Sequence, residues 1–157
     1  MLIHHFGVVK IANKDYADRR QWKHFTGLKE LMLRRIEVPD DVILYIADSL
    51  EWIPTFNPST QKEQSGITYH GITIIPSSGA KAAASIFGAW ASLLSLSPEV
   101  LRLTAWFSLP KGETNQGGYE GLHLRRDDVT SSLNAIVSAC ERVSESGGAE
   151  YLLHLGI

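Results

Sequence analysis

The sequence predicts an α+β fold: duplicated β-β-α units, with antiparallel sheet or sheets packed against helices, preceded by an N-terminal strand and a helical segment. Three observations lead there. An extended stretch led by a tryptophan, a second extended stretch and a helical run follow one another twice, over residues 52–96 and again over 101–146. At an offset of fifty positions Tyr69 falls on Tyr119, Gly71 on Gly121, Ile72 on Leu122, Ile74 on Leu124 and Ile86 on Ile136. The second helical run carries Val129, Leu133, Ile136, Val137, Cys140 and Val143, which is the period of one apolar helix face.

The elements follow in order. Leu2–Ala12 is mostly apolar, with Val8, Val9 and Ile11, and reads as a strand. From Lys14 to Glu37 a helical pattern is expected, broken near Thr26-Gly27, with Leu28, Leu31, Met32 and Ile36 on one face. Pro39-Asp40-Asp41 opens a second helix, since proline suits a first turn and carboxylates favour the positive end of the helix dipole. Its stripe is Val42, Ile43, Ile46, Ala47 and Leu50. Asn57 through Ser65 reads as a polar loop and Gly66–Ile75 as a strand. Ser77 or Ser78 is the expected N-cap of the next helix, and Pro98 its stop. Val100–Phe107 and Tyr119–Leu124 read as strands around a glycine-bearing hairpin loop, Lys111–Gly118. Gly147-Gly148 ends the last helix, because glycine tolerates the left-handed conformation there, and Tyr151–Leu155 is the last strand.

At 157 residues the chain is expected to form a single domain over residues 1–157, within the roughly 100–200 residues of an ordinary one. Its apolar share of 44% and charged share of 20% are those of a chain with a packed core, not of a disordered or fibrous one. The longest apolar run, Ala80–Leu96, is broken by Lys81, Gly88 and serines, so it reads as a buried helix and not a membrane span. The N-terminal residues lack the charged start and cleavage site of a signal peptide. Cys140 is the lone cysteine and lies on an apolar helix stripe, so it reads as a core residue. Together these features predict a cytoplasmic protein with no disulfide framework.

Charge is uneven. Residues 1–38 hold eight basic and four acidic groups, a balance of +4, whereas residues 39–157 hold seven and thirteen, a balance of −6. Asymmetry of this kind speaks to partners more than to fold.

The search for catalytic chemistry predicts no enzyme. There is no glycine-rich phosphate loop and no G-x-S-x-G elbow. No residue pattern predicts a metal or cofactor. His4 and His5 are adjacent, so in a strand they point to opposite faces. His123 and His154 are expected on neighbouring strands, where an acid–base pair is conceivable, but no carboxylate is placed beside them by the sequence. Asp40-Asp41 and Asp127-Asp128 each begin a helix and read as dipole-compensating groups.

Two binding readings remain. The basic region offers Arg19, Arg20, Trp22, Lys23, Arg34 and Arg35, the mixture of cations and aromatic surface that single-stranded nucleic acid needs. The acidic remainder offers two polar hairpin loops with Asn57, Glu63, Gln64, Glu113, Asn115 and, on the strand after the second, Glu120. Such groups would meet a basic partner, where complementary charge speeds encounter and selects it.

His70-Gly71-Ile72-Thr73-Ile74-Ile75-Pro76, Ile86-Phe87-Gly88-Ala89-Trp90, Leu101–Trp106 and the terminal Leu152–Ile157 carry a family resemblance. Over about the last two-thirds of its length the chain resembles bacterial immunity proteins of contact-dependent growth inhibition systems. Some of those are similar to the Whirly fold, a repeated sheet-and-helix arrangement; the helical segment expected between Lys14 and Trp52 departs from it. The resemblance implies a cytoplasmic protein that binds one toxin domain, a nuclease by expectation, and neutralises it stoichiometrically. It assigns no functional residue, because such proteins bind through variable surfaces.

Overall fold

The computed structural model describes residues 2–11, 27–107 and 118–157, with backbone only at 104–107 and 118–122. The fold is α+β, as expected. Its strands are β1 (Ile3–Lys10), β2 (Ile36–Pro39), β3 (Pro54–Asn57), β4 (Lys62–Ser65), β5 (Ile72–Ile75), β6 (Val100–Phe107), β7 (Gly118–Arg125) and β8 (Glu150–Leu155). Its helices are α1 (Leu28–Leu31), α2 (Asp40–Leu50), α3 (Ser77–Leu94) and α4 (Arg126–Glu145). Six strands form one antiparallel sheet in the order β2-β1-β8-β5-β3-β4, and β6 pairs with β7 as a separate hairpin.

The alternation of side chains along a strand sorts the core. Phe6 and Val8 of β1, Ile36 and Val38 of β2, Ile75 of β5 and Leu152 of β8 face α2, α3 and α4. There they meet Ile43 and Ile46, Ala83 and Phe87, and Leu133, Ile136 and Cys140, while Leu101 and Leu103 bring β6 into the same core. The opposite face, with Val9, Ile72, Ile74, Tyr151, Leu153 and Leu155, packs Leu28 and Met32 at α1. A central strand buried on both faces reads as a continuous apolar run, which is why Tyr151–Leu155 looks unlike an amphipathic strand. The close fit at β1 depends on Gly7, since a side chain there would lie 2.6 Å from Met32.

Within the two β-β-α stretches, β3 pairs with β5 before α3, and β6 pairs with β7 before α4. The first contains an extra strand, β4, paired with β3. The polar loop expected from Asn57 to Ser65 is therefore half strand: Lys62–Ser65 is a sheet edge, and its polar sequence hid it. The strand expected from Gly66 begins only at Ile72, after a turn in which Gly66 has a positive φ of 81°. Helix α1 ends at Leu31, and Ile36 lies in a strand, not on the helical face expected for it. The earlier half of that expected helix, residues 12–26, lies outside the described residues.

The N-cap serines are corrected. Pro76 is the residue before α3 and no side chain caps it; Ser77 Oγ instead donates to the Val143 carbonyl at 2.9 Å, tying the start of α3 to the end of α4. At the end of α4, Gly147 and Gly148 have φ of 63° and 90°, the left-handed conformation expected there. Among the described residues no helix is long and apolar enough to cross a membrane.

Candidate functional site

Of the binding residues expected from the sequence, Asn57, Glu63 and Gln64 share the β3–β4 hairpin. Asn57 ends β3, where its Oδ1 accepts the Ser59 and Thr60 amides at 2.9 and 3.3 Å and so holds the hairpin turn. Gln64 Nε2 donates to Thr68 Oγ1 at 3.1 Å, within the same subdivision of the fold. Glu63 is exposed on the edge strand β4. Glu113 and Asn115 lie outside the described residues, and Glu120 is placed only by its backbone, opposite Ala105 in the β6–β7 ladder. In the basic region Arg34 and Arg35 are exposed, Arg35 Nε lying 3.2 Å from Glu37, while Arg19, Arg20, Trp22 and Lys23 lie outside the described residues.

His123 and His154 do not neighbour each other. His123 pairs with Arg102 in the hairpin, whereas His154 lies in the large sheet between Phe6 and Thr73. His154 does find titratable partners, on other elements. Its Nε2 is 2.9 Å from His4 Nδ1, and His4 Nε2 is 3.0 Å from Asp40 Oδ1. Tyr69 O–H donates to that same oxygen. Asp40 thus serves a side-chain cluster and makes no cap bond, a role the helix-start reading missed. His4 and His154 are fully buried, and burial holds both imidazoles below the usual histidine range. Burial, then Asp40, pushes the Tyr69 phenol up. The tyrosine is thereby harder to ionise, and both histidine rings are held neutral inside the fold. Cys140 is likewise inert, its thiol pushed up to about 12 by burial. Among the described residues no group of histidine, cysteine and carboxylate side chains is arranged to hold a metal.

Among the described residues an accessible groove of about 730 Å³ lies beside β6. One wall is Tyr45 of α2 with Leu93, Leu94 and Leu96 at the end of α3. The other is the consecutive run Val100, Leu101, Arg102 and Leu103. Adjacent side chains of a strand point to opposite faces, so a groove touching four in succession runs along the strand's edge. Leu96 is 83% exposed, Leu93 56% and Val100 46%, so they form an apolar strip along the groove. The helical wall is braced: Trp90 Nε1 donates to Ser49 Oγ at 2.8 Å and its ring meets Tyr45 edge to face at 5.8 Å.

The ladder register shows what the strand offers. The Arg126 amide donates to the Glu99 carbonyl at 2.9 Å, one step beyond the Val100–Arg125 pair. In an antiparallel ladder, hydrogen-bonded pairs alternate with pairs that turn their peptide groups outward. Leu101 and Leu103 therefore bond to β7, and Val100, Arg102, Thr104 and Trp106 direct N–H and C=O away from it. Among the described residues no strand pairs with that edge. No sequence pattern distinguishes a paired from an unpaired strand edge, and Leu93, which shares the helical period of Ala83, Ile86, Phe87, Trp90 and Leu94 and was expected to face the core with them, is instead exposed.

No protein-family model, curated protein or solved structure matches the chain.

Proposed function

We propose that this protein is an immunity protein that binds a cognate toxin domain and neutralises it by stoichiometric protein–protein inhibition. The observation that carries this reading is the edge of β6, unpaired among the described residues, beside the apolar groove. An unpaired edge is satisfied by an extended segment of another chain, whose peptide groups supply the hydrogen bonds while alternate side chains enter the groove. Leu93, Leu96 and Val100 supply the apolar contact, and backbone pairing fixes the register.

The acidic excess of residues 39–157 suits a basic toxin such as a nuclease and would steer the encounter. Asn57, Glu63 and Gln64 on the β3–β4 hairpin, with Glu113, Asn115 and Glu120 of the second, are a separate acidic and polar candidate surface for the same partner. The reading also accords with the family resemblance and with titratable groups that are buried in the described core and not gathered in a cleft.

The test is co-expression with the product of the reading frame next to this chain's own, which the reading requires to encode a toxin domain. Protection of the cells and a one-to-one complex on size exclusion are expected. Continued killing without a complex would overturn the reading. The basic-region alternative has its own signature: binding of single-stranded nucleic acid that weakens steeply with salt.

A further inference from the structure

The cluster of His154, His4, Asp40 and Tyr69 has only one arrangement of protons that satisfies its contacts. Asp40 is a carboxylate that accepts, so His4 Nε2 carries the proton it donates to Asp40. His4 Nδ1 is then bare and must accept, so His154 Nε2 donates to it. The remaining atom, His154 Nδ1, is buried with no partner among the described residues, and in this arrangement it is the bare nitrogen. A further proton on His4 would set two N–H groups against each other across 2.9 Å. Relief would require His154 to move its proton to Nδ1, where nothing accepts it. The cluster therefore accommodates two neutral rings and rejects a third proton.

Its members come from four elements: His4 from β1, His154 from β8, Asp40 from the start of α2, and Tyr69 from the 66–71 turn. That turn is pinned beside the cluster by the Gly156 amide to the Gly71 carbonyl at 2.7 Å and the Ile157 amide to the Tyr69 carbonyl at 3.2 Å. We propose that the cluster is an acid-sensitive latch, whose protonation releases the 66–71 turn and the chain after His154 while the rest of the sheet stays folded.

The surrounding charges do not offset this. Asp40 raises the affinity of His4 for a proton, but burial outweighs it and His70 on the turn opposes it. His5, on the other face of β1, opposes protonation of His154, and its own partners are Glu37 on β2 and the cations Lys29 and Arg35. Asp41 acts on Tyr69. From α3 the contact with this part of the core is aromatic, Phe87 on Phe6, which in turn lies against His154.

The sign follows. Both rings have a folded affinity below that of the unfolded chain, so the unfolded or opened state binds more protons in mild acid. The latch is fully closed above about pH 6.5 and its stabilisation is lost as pH falls below that, by up to about tenfold in the opening equilibrium per pH unit for each ring.

Hydrogen exchange of the full chain, corrected for intrinsic rates, tests this between pH 7.5 and 5. The amides of Gly156 and Ile157 are expected to lose protection at least tenfold relative to Leu153 and Leu152. Loss in step with those strand amides would overturn the latch. Nitrogen spectra of the rings give a readout free of any mutation: both should show the Nε2–H tautomer at pH 7.5, and an Nδ1–H form of either ring overturns the proposal. In the H4Q variant an amide can donate to Asp40 and accept from His154 without titrating, so the pH dependence should flatten by about tenfold per unit; an unchanged slope again overturns it.

Discussion

The six-stranded sheet and the β6–β7 hairpin treat their edges in opposite ways. The edge strands of the large sheet, β2 and β4, are each four residues long. One carries Glu37 and Pro39 and the other Lys62 and Glu63, the charged and proline residues that discourage a second chain from pairing. Strand β6 is eight residues long, turns the peptide groups of Val100 and Arg102 outward, and borders exposed Leu93 and Leu96. Among the described residues the large sheet guards both of its edges, while the β6 edge of the hairpin lies unpaired beside apolar surface, which on the proposed function separates the part that holds the fold together from the part that meets a partner. The comparison makes a measurable claim: substitutions in the first region should change stability, and substitutions in the second should change binding.

The largest effect is expected at Phe87, fully buried and edge to face with Phe6 at 5.8 Å. Phe87→Ala removes that contact and leaves a cavity, for a cost of about 3–5 kcal/mol in urea unfolding. A cost under about 1 kcal/mol would mean that the helix layer is not the structural centre of the large sheet. Next is Tyr69→Phe, which deletes the hydroxyl donating to Asp40 and leaves the ring in place. Loss of a hydrogen bond to a charged group costs about 1.5–3 kcal/mol. The change should also be read by hydrogen exchange at Ile157, whose amide bonds the Tyr69 carbonyl.

How much of this was legible follows from what each level of interaction writes into sequence. The stripe Val129, Leu133, Ile136, Val137, Cys140 and Val143 is local, and the helix formed with all of them buried except Val137, which is half-buried. The alternation that turns His4 and His5 to opposite faces is equally local; one meets Asp40 and the other lies near Glu37. Strand β4 was missed because an edge strand contributes little to the core and can be wholly polar, as Lys-Glu-Gln-Ser is. Asp40 was read from its place at a helix start, and its actual partners are 36 and 29 residues away. The meeting of His4 and His154 spans 150 residues, a separation that no periodicity encodes. The open edge of β6 is further removed still, since it depends on which strands pair and in which register.

A third substitution probes the seam between the helix layer and the guarded edge. Gly79 lies so close to β3 that a Cβ there would stand 2.0 Å from the Pro54 carbonyl oxygen. Because that atom is backbone, α3 or β3 must shift, and Gly79→Ala should cost about 1–3 kcal/mol. A neutral result in thermal melts would show that α3 can slide on the sheet, and would weaken the contrast between a rigid region and an open one.

The smallest effect on stability should accompany the largest on binding. Leu96 is 83% exposed on the groove wall, so Leu96→Asp should change stability by no more than about 0.5 kcal/mol. In the same variant, affinity for the toxin domain should fall at least tenfold, about 1.4 kcal/mol, because a carboxylate would have to be desolvated against the entering segment. Arg102→Pro sharpens the point. The Arg102 amide faces away from β7, so proline there removes a donor from the open edge and none from the hairpin ladder. Leu101→Pro, one residue earlier, removes a ladder donor instead. If partner binding is lost in Arg102→Pro while the melt is kept, and the melt is lost in Leu101→Pro, the open edge is the interface. If Arg102→Pro and Leu96→Asp both bind as the unmodified chain does, the partner docks elsewhere, and the acidic hairpin surface around Glu63 becomes the region to test by charge reversal.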